Sequence, residues 1–484
     1  MGDLAPRTRI AEFDINLRPL DIVEKLLAHN PAIIGLGVYV WNARQTLEIV
    51  RMLKRIVPAI PIVLGGPEVS HETDEQEICA LADVIITGEA DLKFAEVCRL
   101  LLGGEALPKI INAELPDVTD LKFPYALYEP DDIAHRVIYV EASRGCPFRC
   151  EFCLSSLEIP VRQFPLEQFL AEMETLMQRG VRHFKFVDRT FNLHLETSLA
   201  ILDFFWQRYQ PGLFLHFEIV PDRLPQALRD ALAKFPPGAL QLEAGVQTFN
   251  ADAAERIQRR QNYERLEENL RWLREHTSAH LHADLIAGLP GEALESFADG
   301  FDRLLALRPH EIQVGILKRL RGAPISRHTE EWGMVYAADA PYELLCNGVV
   351  DFASMQRIRR FAKYWDAVAN SGNYVETVAL LWLPCNAEKP SAFRAFLAFT
   401  DWAYGILNRT DSISLNTWAE LFLRYLTETF GMEADRVKEV LRSDFARAGR
   451  KDLPPFLREE QETSTARTRT EHSVPKRQQR HLPN

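Results

Sequence analysis

Hydrophobic residues along the chain fall into short continuous runs that alternate with longer amphipathic stretches. In the first 105 residues, apolar runs cover 32–41, 60–69 and 83–90, and the segment 43–57 repeats apolar residues at helical spacing. Short buried strands separated by helices are typical of a parallel sheet, whose ligands bind at the carboxyl ends of the strands. The pattern predicts an α/β, Rossmann-like domain over residues 1–105.

The strand–helix alternation restarts after 106–136, a stretch rich in proline and acidic residues that we interpret as a linker. Six further apolar runs are strand candidates: 138–143, 183–188, 213–220, 240–247, 280–288 and 311–318. Six strand–helix units predict a (β/α)6 partial TIM barrel over 137–340, because a closed barrel needs eight units. Polar residues recur at the carboxyl ends of these strands, where barrel-like folds place functional groups: Asp188, Glu218, Glu243, Gln247 and Asp284.

Few segments in the last third of the chain have the apolar pattern of a strand. The segments 352–372 and 414–431 repeat apolar residues at helical spacing and end at glycine, which predicts an α-helical C-terminal domain over 341–445. Residues 446–484 are charged and nearly free of large apolar groups. We expect this tail to be disordered, because it has too little apolar surface to bury.

Composition narrows the class of protein. Of the 484 residues, 47% are hydrophobic and 26% are charged, as in soluble globular proteins. The net charge of -12 argues against nucleic-acid binding. No apolar run reaches the ~20 residues of a membrane span, and the N-terminus lacks the apolar core of a signal peptide. Four of the seven cysteines are isolated from one another, which favours a reducing, cytoplasmic location.

The remaining three cysteines, Cys146, Cys150 and Cys153, form a C-x3-C-x2-C cluster in "SRGCPFRCEFC", directly after the first barrel strand. Thiolates ligate soft metal centres, and three of them would leave one iron of a four-iron cube free to bind another molecule. A structural zinc site needs four ligands, usually in pairs. Zinc and buried, unliganded thiols remain alternatives on this reasoning.

The motif and the barrel that follows resemble the radical S-adenosylmethionine (SAM) superfamily. The resemblance implies a [4Fe–4S] cluster on the three cysteines, SAM on the open iron, and reductive cleavage of SAM to a 5′-deoxyadenosyl radical. It also implies a low-potential flavodoxin or ferredoxin as electron donor. The implied SAM contacts are Phe152 beside the adenine, Asp188 near the amino group, Glu243 and Gln247 at the ribose or carboxylate, and the backbone around Ile286 at the adenine.

Residues 1–105 resemble the cobalamin-binding domain that precedes the barrel in one branch of that superfamily, through "GLGVYVWN", "IVLGGPEVS" and "VIITGEAD". The resemblance implies that Gly65 and Gly66 lie under the nucleotide tail of cobalamin, with Gly37 and Tyr39 on the adjacent loop. Two features depart from the pattern. The cobalt-ligating D-x-H-x-x-G motif is absent, and "RIAEFDIN" reads as the second strand, so that the first strand and helix are missing. A vestigial domain is the alternative to cobalamin binding.

The C-terminal region resembles the helical extension of a cobalamin-domain radical SAM subgroup of unassigned function. Together these resemblances imply cobalamin-dependent C-methylation, in which methylcobalamin donates its methyl group to a radical of an unidentified small-molecule substrate. A cobalamin-independent radical oxidoreductase is one alternative, suggested by "GLPGE" at 288–292. A protein that senses SAM or cobalamin is another. The sequence identifies neither a catalytic side chain beyond the cofactor contacts nor the oligomeric state.

Overall fold

The structure is a computed structural model that describes residues 1–157, 160–383, 391–458 and 475–481. Its N-terminal domain is a parallel sheet in the order β1-β2-β3-β4. The strands are β1 (Ile34–Gly37), β2 (Ile62–Gly65), β3 (Val84–Thr87) and β4 (Ile110–Asn112). The helices are α1 (Pro19–Leu27), α2 (Ala43–Ile56), α3 (Glu77–Leu81) and α4 (Lys93–Leu102). The strands predicted within 32–41, 60–69 and 83–90 are present as β1, β2 and β3.

Two parts of this domain differ from the sequence-based expectation. Residues 9–16 were expected to form a strand but have no regular secondary structure, and Ile10 is 69% exposed. Conversely, β4 lies within the predicted linker, where Ile110 pairs with Ile85 of β3. Three residues beside a proline are too short a run to signal a strand. The helix α5 (Pro130–His135) also lies in the linker region.

The second sheet confirms the (β/α)6 architecture. Six parallel strands lie in the order β5-β8-β9-β10-β11-β12. They are β5 (Ile138–Val140), β8 (His183–Phe186), β9 (Phe214–Ile219), β10 (Leu240–Gln247), β11 (His280–Ala287) and β12 (Glu311–Ile316), while β6 (Ser143–Arg144) and β7 (Arg162–Gln163) form a separate antiparallel pair. The helices are α6 (Leu166–Gln178), α7 (Leu195–Gln207), α8 (Gln226–Leu232), α9 (Ala251–Arg256), α10 (Tyr263–His276) and α11 (Leu294–Ala306).

Strict alternation along β10 shows how the barrel separates its two faces. Leu240 and Leu242 are buried, whereas Gln241 and Glu243 between them are only partly buried. Successive strand residues point to opposite faces, so the apolar set packs against the helices and the polar set faces the lumen. The same alternation on β11 places His280, His282, Asp284 and Ile286 on one face. The lumen is therefore lined with hydrogen-bonding side chains.

The C-terminal region is helical, as expected. After the short strands β13 (Val335–Tyr336) and β14 (Leu344–Cys346), it contains α12 (Phe352–Trp365), α13 (Val375–Ala379), α14 (Ala392–Leu407), α15 (Leu415–Glu428), α16 (Ala434–Arg447) and α17 (Lys476–Gln479). A π-helical turn, Asp366–Asn370, follows α12. The rings of Phe301 on α11 and Phe361 on α12 lie edge to face, with centroids 5.2 Å apart, so that this region packs directly on the barrel.

The tail differs from the expected disorder where it is described. Residues 446–458 include the end of α16 and a buried Leu457, and residues 475–481 form α17 with Gln478 only 4% exposed. Arg477 of α17 pairs with Glu311 on the barrel, a contact that composition alone does not predict. The rest of the predicted tail, 459–474 and 482–484, lies outside the described residues. Across the described residues, no helix is long and apolar enough to cross a membrane.

Candidate active site

The three clustered cysteines lie on a loop bracketed by β6 and β7, which pair antiparallel with Arg144 opposite Arg162. All three cysteines line one cavity of about 140 Å³ at the carboxyl ends of the barrel strands. Predicted residues that line it with them are Phe152, Glu243 and Gln247. The fold therefore brings six of the predicted site residues together around one space.

Buried ion pairs hold the cysteine loop in place. Glu151, between Cys150 and Cys153, is 1% exposed; its carboxylate accepts hydrogen bonds from His328 Nε2 at 2.8 Å and Gln258 Nε2 at 2.9 Å. Arg327 also contacts this carboxylate. The Glu151 backbone N–H donates to the carbonyl of Ile257 at 3.0 Å. The loop is thus tied both to the segment after α9 and to the segment after β12.

Asp188 has a different set of partners from the one that the resemblance implied. Its Oδ2 accepts a hydrogen bond from the backbone N–H of Ala142 at 3.0 Å, and its Oδ1 accepts one from Ser143 Oγ at 2.6 Å. The side chain is 3% exposed and does not line the cysteine cavity. Its contacts fix the strand end that leads into the cysteine loop. A contact between Asp188 and the SAM amino group stays a prediction.

Acidic side chains from three neighbouring strands surround the cavity: Glu218, Glu243 and Asp284. Burial raises the pKa of Glu218 and of Asp284. A hydrogen bond with His216 Nε2, at 2.9 Å, lowers the pKa of Glu243 to about 2. Carboxylates in such a cavity favour a cationic ligand group, such as the sulfonium and ammonium of SAM.

Arg259 is a charged cavity residue that the sequence reasoning did not single out. Its Nη1 lies 3.4 Å from Cys150 Sγ, and its Nη2 donates to the carbonyl of Gly245. The guanidinium thus places a positive charge beside one of the three clustered thiols. Arg259 follows α9 in "RIQRRQ", and nothing in that charged run singles it out from its neighbours. The pKa of Cys146 is raised, chiefly by burial.

Gln247 and Ile286 occupy different places around the lumen. Gln247 lies at a bulge in β10 and has a left-handed backbone, with φ of 70°, which is uncommon for a residue other than glycine. Such a conformation is often found where a side chain is aimed at a functional site. Ile286 instead lines a second, larger cavity.

This second cavity, which we call the lumen chamber, has a volume of about 1030 Å³ and extends through the barrel. Phe152 lines both it and the cysteine cavity, so the two spaces meet at this ring. Residues of β10, β11 and β12, including Gln241, His282, Glu311 and Gln313, line the chamber. Arg477 and Gln478 of α17 line it near the amino ends of these strands, where Gln478 Nε2 donates to Gln241 Oε1 at 2.5 Å.

The predicted cobalamin residues gather at the carboxyl edge of the N-terminal sheet, where Gly37 on β1 pairs with Gly65 on β2. Gly66 has φ of 106°, and a Cβ there would lie 2.5 Å from the carbonyl oxygen of Val38. The rings of Tyr39 and Trp41 are stacked, with centroids 5.4 Å apart, and both are exposed. An open backbone edge beside exposed aromatic faces fits a large planar ligand.

The donor set at the cysteine loop also fits an iron–sulfur cluster. A four-iron cube takes one thiolate on each of three irons, so its cysteines need not converge on one point. Over the described ranges, no group of three or more His, Cys, Asp or Glu side chains is arranged to hold a single metal ion.

Comparison with known proteins agrees with this geometry. The family model of the radical SAM superfamily matches residues 140–304, that of the B12 binding domain matches 7–98, and that of a protein of unknown function (DUF4080) matches 330–483. The chain therefore contains a radical SAM domain, preceded by a B12-binding domain and followed by a DUF4080 domain. A radical SAM domain implies a [4Fe–4S] cluster and SAM, and a B12-binding domain implies cobalamin.

Two curated relatives are methyltransferases, and one of them is a cobalamin-dependent radical SAM enzyme. The chain is 27% identical over 334 residues to the 2-(S-pantetheinyl)-carbapenam-3-carboxylate methyltransferase of Streptantibioticus cattleyicolor, covering 61% of this chain and 48% of that protein. It is 26% identical over 344 residues to the cobalamin-dependent radical SAM methyltransferase TokK of Streptomyces tokunonensis, covering 63% and 50%. The chain spans about half the length of the curated relatives it matches.

A solved structure shares the architecture over nearly the whole chain. It is the cobalamin-dependent SAM radical enzyme OxsB with aqua-cobalamin and SAM bound, with a TM-score of 0.59 and 15% identity, covering 96% of this chain and 77% of that one. At this identity the likeness concerns the fold, and it extends through the helical C-terminal region as well as the two sheets.

Proposed function

We propose that the protein is a radical SAM enzyme that catalyses cobalamin-dependent C-methylation of a small molecule. The observation that carries the proposal is the cysteine cavity, in which three thiols and three strand-end carboxylates surround one space next to a larger chamber. When bound, the cofactors supply reductive cleavage of SAM to a hydrogen-abstracting radical and the transfer of a methyl group. The open glycine edge of the N-terminal sheet supports the cobalamin part of the proposal.

The residues around the cavity have separable roles in this proposal. Cys146, Cys150 and Cys153 hold the iron, and Arg259 stabilises the negative charge that the thiolates bring. Glu243, kept ionised by its hydrogen bond with His216, favours the cationic part of SAM. These groups are preorganised by strand ends, so they need no rearrangement to accept a ligand.

Phe152 lies at the boundary of the two spaces, where the adenine edge of SAM and the substrate would approach each other. The lumen chamber sets the size and character of the substrate. Its volume of about 1030 Å³ corresponds to a small organic molecule rather than a macromolecule. Its lining combines apolar side chains such as Ile286 and Val314 with hydrogen-bonding ones such as His282 and Gln313. We propose a small-molecule substrate with both apolar and polar parts.

The reaction also requires a low-potential electron donor of the flavodoxin or ferredoxin type. Reduced thiols and such a donor place the proposed activity in the cytoplasm.

The test uses protein purified and reconstituted without oxygen, then given dithionite, SAM and hydroxocobalamin. We expect 5′-deoxyadenosine by chromatography and stoichiometric cobalamin after desalting. The variant with Cys146, Cys150 and Cys153 all changed to alanine should hold no cluster iron and form no 5′-deoxyadenosine. Deoxyadenosine without retained cobalamin would refute the methylation proposal in favour of a cobalamin-independent oxidoreductase. An intact cluster with neither product nor corrin would favour sensing.

A further inference from the structure

One carboxylate of the N-terminal domain binds both ends of the cysteine loop. Glu89 follows β3, and its Oε2 lies 2.9 Å from Nη1 of Arg144 on β6, two residues before Cys146. Its Oε1 accepts a hydrogen bond from Nη2 of Arg162 on β7, the residue opposite Arg144 in the strand pair. The two strands that bracket the cysteine loop are thus joined through a side chain from the other domain.

Arg144 is the centre of this contact. Besides Glu89, it binds Asp91 at 3.0 Å and Glu141 at 3.0 Å, so that its guanidinium links the loop after β3, the end of β5 and the start of the cysteine loop. The side chains are 22% exposed for Arg144, 16% for Arg162 and 15% for Glu89. Removing one partner from such a shielded group leaves a charge without compensation, which costs more than breaking an exposed ion pair.

Two hydrogen bonds connect the segment of Glu89 to the carboxyl edge of the N-terminal sheet. This edge, formed by Gly37, Gly65 and Gly66, is the predicted cobalamin site, and we call it the cobalamin edge. Ser70 Oγ donates to the carbonyl of Gly66 at 2.9 Å, and the backbone N–H of Gly88 donates to Ser70 Oγ at 3.1 Å. Glu89 is the next residue. The glycine that opens the sheet edge and the carboxylate that holds the cysteine loop therefore belong to one connected segment, built from the ends of β2 and β3.

We infer that Glu89 is a positioning residue that sets the cysteine loop against the cobalamin-binding edge, so that binding at one site stabilises the other. The inference rests on the proposed function, because it gives the two sites their two ligands. Such coupling is reciprocal. If bound cobalamin raises the affinity for the cluster iron, bound iron raises the affinity for cobalamin by the same factor. Without Glu89, the loop would keep its internal contacts but lose its tie to the edge.

The chain provides a matched control at the same domain interface. Glu72 follows β2 and binds Arg319 and Arg321, each at 2.9 Å, in the segment after β12. This contact joins the two domains without touching the cysteine loop. Glu72→Gln should weaken the contact between the N-terminal domain and the barrel, whereas Glu89→Gln should weaken the contact that positions the cysteine loop. Both changes preserve the shape of the side chain.

The experiment follows iron release from reconstituted protein to a chelator, with and without hydroxocobalamin, and records the electron paramagnetic resonance spectrum of the reduced cluster before and after SAM. Glu89→Gln should release iron about tenfold faster than wild type and lose the protection by hydroxocobalamin. Its spectrum should also change less on addition of SAM. Glu72→Gln should retain the protection and the SAM-induced spectral change. Wild-type release and wild-type protection in Glu89→Gln would overturn the inference.

Hydrogen–deuterium exchange separates this result from failure of the proposed function, because it needs no cofactor. The backbone amides of residues 145–157 should exchange about tenfold faster in Glu89→Gln than in wild type. In Glu72→Gln their exchange rate should equal that of wild type. Absence of iron from the wild type would refute the proposed function, and equal exchange in the variants would still refute the role of Glu89. If Glu89→Gln does not fold, Asp91→Asn weakens the same Arg144 contact at a more exposed position and should show both effects in smaller measure.

Discussion

The carboxylate of Glu151 and the imidazole of His328, 177 residues apart in the chain, form a buried hydrogen bond of 2.8 Å directly beneath the cysteine loop. Glu151 lies between two of the three cysteines but does not line the cysteine cavity, and its side chain contacts the segment that follows the last barrel strand. The loop is therefore held in place by contacts outside the cavity.

Glu151→Ala should destabilise the fold and the cluster together. The change leaves His328 and Arg327 without their carboxylate, and breaking a buried pair in this way costs about 3 kcal/mol of unfolding free energy. Urea unfolding and iron content after reconstitution measure the two effects. Glu330→Ala, at an exposed position nearby, is the control and should change stability by no more than about 0.5 kcal/mol. Iron binding at the wild-type level in a stable Glu151→Ala protein would contradict this account.

Acid should weaken the protein through Glu243. Its pKa in the folded protein is lowered to about 2, from a usual 4.5, by the hydrogen bond with His216. A lowered pKa stabilises the fold where the group is ionised in both states, and this stabilisation is lost as pH falls from about 5 through about 2. The melting temperature should therefore fall less between pH 5 and pH 2 in Glu243→Gln than in wild type. The change Glu255→Gln, at an exposed position, is the control and should leave the pH dependence of the melting temperature as in wild type.

Gly66→Ala should damage the cobalamin edge specifically. The new Cβ would meet the carbonyl oxygen of Val38 at 2.5 Å, on a backbone with φ of 106°. We expect at least tenfold weaker retention of hydroxocobalamin, measured by absorbance after desalting, because backbone strain of about 1–3 kcal/mol must be relieved by moving the edge. Gly104→Ala is the matched control, since it has a positive φ of 79° but nothing within 4 Å of the added atom. Equal retention in both variants would argue against the edge as the binding site.

Arg477→Ala should open the lumen chamber at the amino ends of its strands. Arg477 Nη2 lies 2.8 Å from Glu311 Oε2 and also binds Asp366, and these contacts hold α17 against the barrel. We expect faster hydrogen–deuterium exchange over 240–242, 280–282 and 311–313, by about tenfold, with iron content unchanged. Arg458→Ala removes an exposed arginine of the preceding segment and should leave this exchange as in wild type. No change in Arg477→Ala would mean that α17 is not needed to cover the chamber.

Much of the fold could be predicted from the sequence because its signals are local. All six barrel strands lie within the predicted runs, because every second residue of a barrel strand is apolar and packs against the helices. The cysteine loop was equally visible, because the spacing of three thiols is a property of eight consecutive residues. By contrast, β4 was missed, since a three-residue strand has too few positions for a periodic pattern.

The partners of charged side chains were decided by the tertiary structure alone. The oxygens of Asp188 accept hydrogen bonds from Ala142 and Ser143, 46 and 45 residues away. Arg259 reaches Cys150 across 109 residues, and Arg477 reaches Glu311 across 166, so neither pairing leaves a trace in sequence spacing. The sequence by itself determined which strands, helices and thiols exist, because backbone periodicity and motif spacing act over a few residues. Only folding brought distant strand ends together, and it is there that the charges around the cavity acquire their partners.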